Sequence, residues 1–216
     1  MARPRLLDLF CGAGGAGMGY HRAGFDVVGV DIKPMKRYPF EFVQADALMY
    51  AGMHGYKFDV IHASPPCQVH SVTKHLAGDG HLDLVEDTQT MLRALGKPYV
   101  IENVPGAPLD NPLTLCGSMF GLPLIRHRLF ECRPPIWFPP APCQCSHLFT
   151  HSGHGQWSAF NKGATAIMVA GNDFKAEDAR VAMGIEWMTK KELSQAIPPA
   201  YTEFIGKHLM NAIFLR

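Results

Sequence analysis

Two short apolar stretches, Leu6-Leu7-Asp8-Leu9-Phe10 and Phe25-Asp26-Val27-Val28-Gly29-Val30, flank the run Gly12-Ala13-Gly14-Gly15-Ala16-Gly17-Met18-Gly19. Glycines this dense permit a tight turn out of a buried strand and let a helix backbone press close against a sheet. The segment therefore reads as strand, turn, helix, strand. Gly12 to Gly17 satisfies G-x-G-x-x-G, and Asp31 ends the second strand 19 residues after Gly12, the layout of a dinucleotide-binding unit. A carboxylate there accepts hydrogen bonds from both hydroxyls of a ribose, so any adenosine-type cofactor suits the pattern. Asp46, in Gln44-Ala45-Asp46-Ala47 after a third apolar stretch, falls at the same sheet edge with the reach to accept from an adenine amine. For both aspartates, capping or solvation is the competing reading.

The rest of the chain continues the alternation. Phe58 to Ile61 and Tyr99 to Ile101 read as further buried strands, with an amphipathic helix over Asp83 to Leu95 between them. Strand alternating with helix predicts an α/β fold with a doubly wound, mostly parallel, Rossmann-like sheet. From Pro134 to Gly163 the texture changes to Pro, His, Cys, Gly and Trp without periodicity. Ala166 to Ala170 then reads as a strand, Ala176 to Met183 as a helix, and Tyr201 to Phe214 as a closing helix after Pro198-Pro199. The expected organisation is one domain built from 1–131 and 164–216, with a small irregular insertion over 132–163. A chain of 216 residues suits one such core.

Net charge is +1, so binding to nucleic acid would rest on local basic groups rather than a global field. Met1-Ala2-Arg3-Pro4-Arg5 runs straight into a strand, and no run approaches about 18 apolar residues. We expect no signal peptide, no membrane span, a cytoplasmic location and a monomer. The six cysteines are too sparse for the framework of a small secreted protein and read as thiols.

Asp59-Val60-Ile61-His62-Ala63-Ser64-Pro65-Pro66-Cys67-Gln68 places a cysteine just past a strand end, after two prolines that stiffen its approach. Open α/β sheets build their sites at that carboxyl edge. A thiol attacks only as thiolate, which needs exposure and positive potential; Arg126 or Arg128 is placed to supply the latter. Burial as a small hydrophobe is the commoner fate of a cysteine and the better reading for Cys11, Cys116 and Cys132. Val100-Ile101-Glu102-Asn103-Val104-Pro105 repeats the layout of the Cys67 segment, a buried strand delivering a carboxylate and an amide to the same edge. In apolar surroundings Glu102 would have a raised pKa, as general acid work requires. In Arg126-His127-Arg128-Leu129-Phe130-Glu131 the alternation puts 126 and 128 on one face.

Asp8-Leu9-Phe10-Cys11-Gly12-Ala13-Gly14-Gly15, Pro65-Pro66-Cys67-Gln68, Glu102-Asn103-Val104 and Arg126-His127-Arg128, in this order, resemble the motifs of the carbon-5 cytosine-specific DNA methyltransferases. Glu177-Asp178-Ala179-Arg180-Val181-Ala182-Met183-Gly184 and Ala196-Ile197-Pro198-Pro199 are similar to two later segments of that family. The resemblance spans 1–131 and 175–214. It implies an S-adenosyl-L-methionine-dependent methyltransferase fold, with the insertion as a reduced target-recognition region. Phe10, Gly12, Gly14, Asp31, Ile32, Asp46, Ala47, Pro66, Gln195 and Ile197 would form the S-adenosyl-L-methionine pocket, with Asp31 on the ribose and Asp46 on the adenine. Cys67, Glu102, Arg126 and Arg128 would be catalytic, acting on a cytosine flipped from double-stranded DNA. Arg126 and Arg128 would contact that base and its phosphate and polarise the thiol.

Leu124 stands where the family usually has Gln, Ser194-Gln195 where it has Gly-Asn, and His70 where Phe is frequent. The short insertion resembles minimal enzymes of the kind bacteriophages encode, with short or relaxed sequence recognition. Other functions stay open: a tRNA cytosine-5 methyltransferase, a catalytically silent nucleic-acid-binding protein, and an NAD-dependent oxidoreductase, which the glycine loop and Asp31 alone would permit.

Within the insertion, Cys143-Gln144-Cys145-Ser146-His147, His151 and His154 offer thiols and imidazoles, but their spacing matches no standard zinc finger. No metal is expected there. A DNA-facing loop, with Lys162 and the histidines on phosphates and Trp157 or Phe160 on bases, is the favoured reading. A packed cover with Trp137, Phe138 and Phe149 as its core is the next.

Overall fold

The structure, a computed structural model, describes residues 2–66, 84–148 and 165–214. Five strands rich in apolar residues form a parallel array: β1 (Arg5–Leu9), β2 (Asp26–Asp31), β3 (Glu41–Gln44), β4 (Val60–Ala63) and β5 (Tyr99–Asn103). Two more, β6 (Leu113–Leu115) and β7 (Arg128–Arg133), complete a seven-stranded sheet in the order β3-β2-β1-β4-β5-β7-β6. β7 runs antiparallel to both β5 and β6. The strand order reverses between β1 and β4, and at such a switch point the loops leaving two adjacent strands diverge and open a crevice.

Strands buried on both faces need cover on both. Leu6, Val27, Val60, Val100 and Phe130 point to one side, against Tyr20 of α1 (Gly15–Ala23) and Tyr201, Ile205 and Leu209 of α6 (Pro199–Phe214). Their sequence neighbours Leu7, Val28, Ile61 and Ile101 point to the other side, against α2 (Ala47–His54) and α3 (Val85–Leu95). α1 and α6 touch backbone to backbone: a β-carbon on Gly19 would lie 2.1 Å from Thr202 Oγ1 and 2.2 Å from the Pro199 carbonyl.

A second, smaller core joins Ala13, Leu124, Ile167 and Val169 to α4 (Ala176–Met183) and to Leu193 of α5 (Lys190–Gln195). The stretch Ala166 to Ala170 is not a strand of the sheet. Ala166 and Ile167 form isolated bridges only, that of Ile167 to Leu124, and Met168 to Ala170 are not in a strand. α5 is started by a capping box between Thr189 and Glu192, and α6 by Pro199 at its first position, where the missing N–H leaves no bond unmade. No described helix is long and apolar enough to cross a membrane.

Candidate active site at the carboxyl edge of the sheet

The chain leaves β1 through three left-handed positions, Phe10 at φ 54°, Gly12 at φ 49° and Gly14 at φ 84°. A non-glycine residue at such a φ is uncommon and its strain must be held by neighbours. Here Cys11 N–H donates to the Val30 carbonyl at 3.1 Å, and Gly12 N–H donates to Asp31 Oδ2 at 3.1 Å. Asp31 Oδ1 also accepts from Lys33 N–H at 3.0 Å. The carboxylate at the end of β2 thus pins the glycine loop and stays partly exposed, with lone pairs to spare. A β-carbon on Gly12 would meet no atom of the described residues within 4 Å, whereas one on Gly14 would lie 2.7 Å from Pro39 Cδ, so the loop is open at Gly12 and packed from Gly14 on.

Asp46 is exposed and caps α2, Oδ1 accepting from Met49 N–H at 2.9 Å, so capping is one of its roles. Ala47 is buried behind it, while Ile32 presents an apolar side chain 66% exposed beside Asp31. From the far end of the chain, Ile197 is buried with its carbonyl against Gly15, and Gln195 is exposed at the end of α5. Pro66 is exposed one strand over. A glycine-lined backbone, the partly exposed Asp31 carboxylate and an exposed aliphatic face therefore share one edge, a set of groups whose chemistry fits an adenosine-bearing cofactor.

β4 ends in Ser64-Pro65-Pro66, tied to β1 by Ser64 N–H donating to the Leu9 carbonyl at 3.2 Å. Asn103 Nδ2 donates to the Pro65 carbonyl at 3.2 Å, and Asn103 Oδ1 accepts from Val104 N–H at 2.8 Å. The amide of Glu-Asn-Val thus holds the proline turn that leads into position 67. Cys67 itself, with Gln68 and His70, lies outside the described residues.

Glu102 is 7% exposed and paired with Arg128, whose Nε is 3.1 Å from Glu102 Oε1. Burial raises its pKa; Arg128, then Arg126 and the Ser64 hydroxyl, oppose the rise. Behind Ser64 runs a polar chain that sequence reasoning passed over. Tyr20 Oη and His62 Nδ1 are 2.9 Å apart, as are His62 Nε2 and Ser64 Oγ. Burial drives the His62 pKa down to about 3, so the ring is neutral. One tautomer satisfies every link: Tyr20 donates to Nδ1, Nε2–H donates to Ser64, and Ser64 donates to Glu102. The available signal was His62 itself, a polar residue inside the apolar strand Val60–Ala63.

The two arginines take separate partners. Arg128 opens β7, whereas Arg126 precedes the strand, and outside a pleat alternation does not govern direction. Arg126 is 4% exposed; Nη1 donates to the Val169 carbonyl and Nη2 to the Ser194 carbonyl at 2.9 Å. Burial, helped by Arg128, lowers its pKa to about 9, while Glu102 and Tyr201 hold it up. Arg126 therefore clamps the second core onto the sheet, and the contact with a phosphate expected of it would require giving up these carbonyls. Leu124, fully buried in that same core, packs where the resemblance expects a Gln. Ser194 contributes its carbonyl to the clamp.

In the insertion, Trp137 and Phe138 are 75% and 80% exposed, so they are not the core of a packed cover. Five prolines between 134 and 142 deny this stretch the N–H groups with which to join the sheet and bury its rings. Phe149, His151, His154, Trp157, Phe160 and Lys162 lie outside the described residues, and so do the DNA contacts expected of them.

No protein-family model matches the chain. The type II methyltransferase M.XorII of Xanthomonas oryzae pv. oryzae is 34% identical over 124 residues, 49% of this chain and 29% of that protein. The chain thus spans less than a third of the length of this curated relative. The crystal structure of the Schizosaccharomyces pombe Dnmt2 methyltransferase superposes with a TM-score of 0.67 at 13% identity, covering 98% of this chain and 99% of that one. The Entamoeba histolytica methyltransferase EhMeth gives 0.63 at 13% identity, covering 99% of each. The doubly wound sheet expected from the sequence is therefore present as a methyltransferase fold of the Dnmt2 type, joined to sequence homology with a type II methyltransferase over about half of the chain.

Proposed function

We propose that the protein is a DNA (cytosine-5-)-methyltransferase that transfers a methyl group from S-adenosyl-L-methionine to carbon 5 of a flipped cytosine through a covalent bond to Cys67. The observation that carries the reading is the pairing of Glu102 with Arg128, buried beside the Ser64-Pro65-Pro66 turn whose next residue is Cys67. Homology to M.XorII, a type II methyltransferase, supports methyl transfer as the reaction class. The glycine loop, open at Gly12, with Asp31 and the exposed Ile32, supports the cofactor, with Phe10, Gly14, Asp46, Ala47, Pro66, Gln195 and Ile197 around them. S-adenosyl-L-methionine supplies the methyl group as an electrophile.

The chain supplies the rest. Cytosine is a poor nucleophile at carbon 5, and addition of the Cys67 thiolate to carbon 6 turns it into an enamine at that position. Glu102, kept toward its protonated form by burial, donates to the ring nitrogen and stabilises the charge that develops as the Cys67 sulfur bonds. After carbon 5 takes the methyl group, loss of its proton to a base re-forms the double bond and expels Cys67 as thiolate. Arg128 holds Glu102 in place and supplies positive potential near the thiol. Arg126 positions it through the β7 approach. The base must leave the duplex to reach this edge. The brief segment 132–163 supports a minimal, phage-type enzyme with short sequence recognition.

The test is to incubate the purified chain, and Cys67→Ser beside it, with S-adenosyl-L-methionine and either duplex DNA or tRNA, reading carbon-5 methylation at base resolution. We expect methylated DNA with the wild type and none with the variant. Methylation confined to tRNA would move the substrate to RNA. Equal methylation by Cys67→Ser would remove Cys67 as nucleophile, and calorimetric binding of NAD in place of S-adenosylhomocysteine would overturn the cofactor.

A further inference from the structure

Cys143 and Cys145 meet partners that the sequence did not suggest. Cys116, which follows β6, and His127, which immediately precedes β7, come to the same place, and the four ligand atoms all lie within 4.8 Å of one another. Cys143 Sγ is 3.1 Å from Cys145 Sγ and 3.6 Å from His127 Nε2, and Cys145 Sγ is 3.5 Å from the same nitrogen. Cys116 is fully buried, His127 and Cys145 are half-buried, and Cys143 is exposed, so the cluster is rooted in the core and opens to solvent on one side. The cluster contains no carboxylate.

We propose that Cys116, His127, Cys143 and Cys145 form a structural zinc site. Zinc takes thiolates at about 2.3 Å and an imidazole nitrogen at about 2.0–2.1 Å in a tetrahedron, whose edges are then about 3.5–3.8 Å. The two sulfur–nitrogen distances, 3.6 Å from Cys143 and 3.5 Å from Cys145 to His127, match such an edge, and the Cys143 and Cys145 sulfurs, 3.1 Å apart, need to open by about 0.7 Å to span one. A set of three sulfurs and one nitrogen selects zinc over calcium or magnesium, which take oxygen ligands. The outer shell is in place as well: Ser118 Oγ lies 3.4 Å from Cys143 Sγ and accepts Gln144 N–H at 3.1 Å, which orients the Cys-Gln-Cys turn. A Cys143–Cys145 disulfide is the competing chemistry, and it would have to close 3.1 Å to about 2.05 Å across a single intervening residue.

The site would do one thing for the fold. His127 sits between Arg126, which clamps the second core, and Arg128, which pairs with Glu102. A zinc ion on His127 fastens the insertion, through residues 143–145, to the short stretch that aims both arginines. The site stands on this geometry and does not depend on the reaction proposed above.

The experiment is metal analysis of the full chain purified without chelator, followed by replacement of the metal with cobalt. The wild type should carry one zinc per chain, and its cobalt form should show the visible bands of a tetrahedral thiolate site. Cys143→Ser should lose at least about 100-fold in zinc affinity, since outer-shell changes alone cost about 10–100-fold, and should lose the cobalt bands. Cys143 is exposed, so its circular dichroism should stay that of the wild type. Cys132→Ser, on β7 but outside the cluster, should keep the zinc. A reduced wild type that takes up no zinc, a mass two hydrogens low with Cys143 and Cys145 joined, or a Cys143→Ser variant that binds zinc like the wild type would each overturn the site.

Discussion

Arg128 Nε lies 3.1 Å from Glu102 Oε1, and neither side chain is more than 16% exposed. Removing one member of a buried pair strands the other charge. Arg128→Ala should therefore destabilise the fold by about 3 kcal/mol at pH 8. Glu102 already has a raised pKa from burial, and without Arg128 it rises further. The stranded carboxyl can then take up a proton as pH falls, so the loss should shrink toward pH 5. Urea unfolding at the two pH values checks this. An equal loss at both would mean that Arg128 acts by packing alone.

Glu102→Gln keeps the shape and still accepts from Ser64, but it cannot donate an acid proton. On the proposed mechanism kcat should fall about 10²–10⁴-fold while S-adenosylhomocysteine affinity is unchanged. Ser64→Ala removes a hydroxyl that lowers the Glu102 pKa. If protonated Glu102 is the active form, activity declines as pH rises through its pKa, and Ser64→Ala should move that decline to higher pH. A pH–rate profile unmoved by Ser64→Ala would separate the Tyr20–His62–Ser64 chain from the chemistry.

Arg126 gives its guanidinium to the carbonyls of Val169 and Ser194, and its own carbonyl accepts from Tyr201 Oη at 2.6 Å. Each carbonyl orphaned in Arg126→Ala should cost about 1–3 kcal/mol. Arg126→Lys should rescue little, because one ammonium does not reproduce the planar fork that reaches both. The salt dependence of DNA binding should stay that of the wild type, since counterion release follows phosphate contacts and this side chain makes none while it clamps the core. A shallower salt slope in Arg126→Lys would place the guanidinium on the nucleic acid.

The parts of this fold legible in the sequence were those with a local signature. The glycine run, the doubly buried strands and the helix over Ala176 to Met183 each carry their pattern within a few residues, and each stands where that pattern puts it. β6 is three residues long and α5 six, too short to show a period. The site divides the same way. Glu102 and Asp31 were legible because a strand end delivers them. The separate fates of Arg126 and Arg128 were not, because they depend on Val169 and Ser194, far along the chain. The meeting of Cys116 with Cys143 was illegible for the same reason, since sequence spacing between them says nothing of distance. His62 and Asp8 look like breaks in a hydrophobic strand until the register sets them side by side on neighbouring strands.

Asp8 is wholly buried in β1, accepting from Tyr38 Oη at 2.9 Å through Oδ2, while Oδ1 has no hydrogen-bond partner among the described residues. Burial pushes its carboxyl from 3.8 up to about 8, against the Tyr38 hydrogen bond and with help from the charge of Asp31. The folded protein thus holds a proton on Asp8 that the unfolded chain releases near pH 4. Between these two values the unfolded state binds fewer protons, so stability contributed by this group is present below about pH 4 and is lost as pH rises toward 8. Asp8→Asn keeps an acceptor for Tyr38 and removes the titration. Its stability should match the wild type at low pH, exceed it progressively from pH 5 to pH 8, and keep a constant margin above that. Chemical denaturation across this range measures the margin, and a margin that does not grow with pH would mean that Asp8 is ionised in the folded protein, its unpartnered Oδ1 satisfied by some other group.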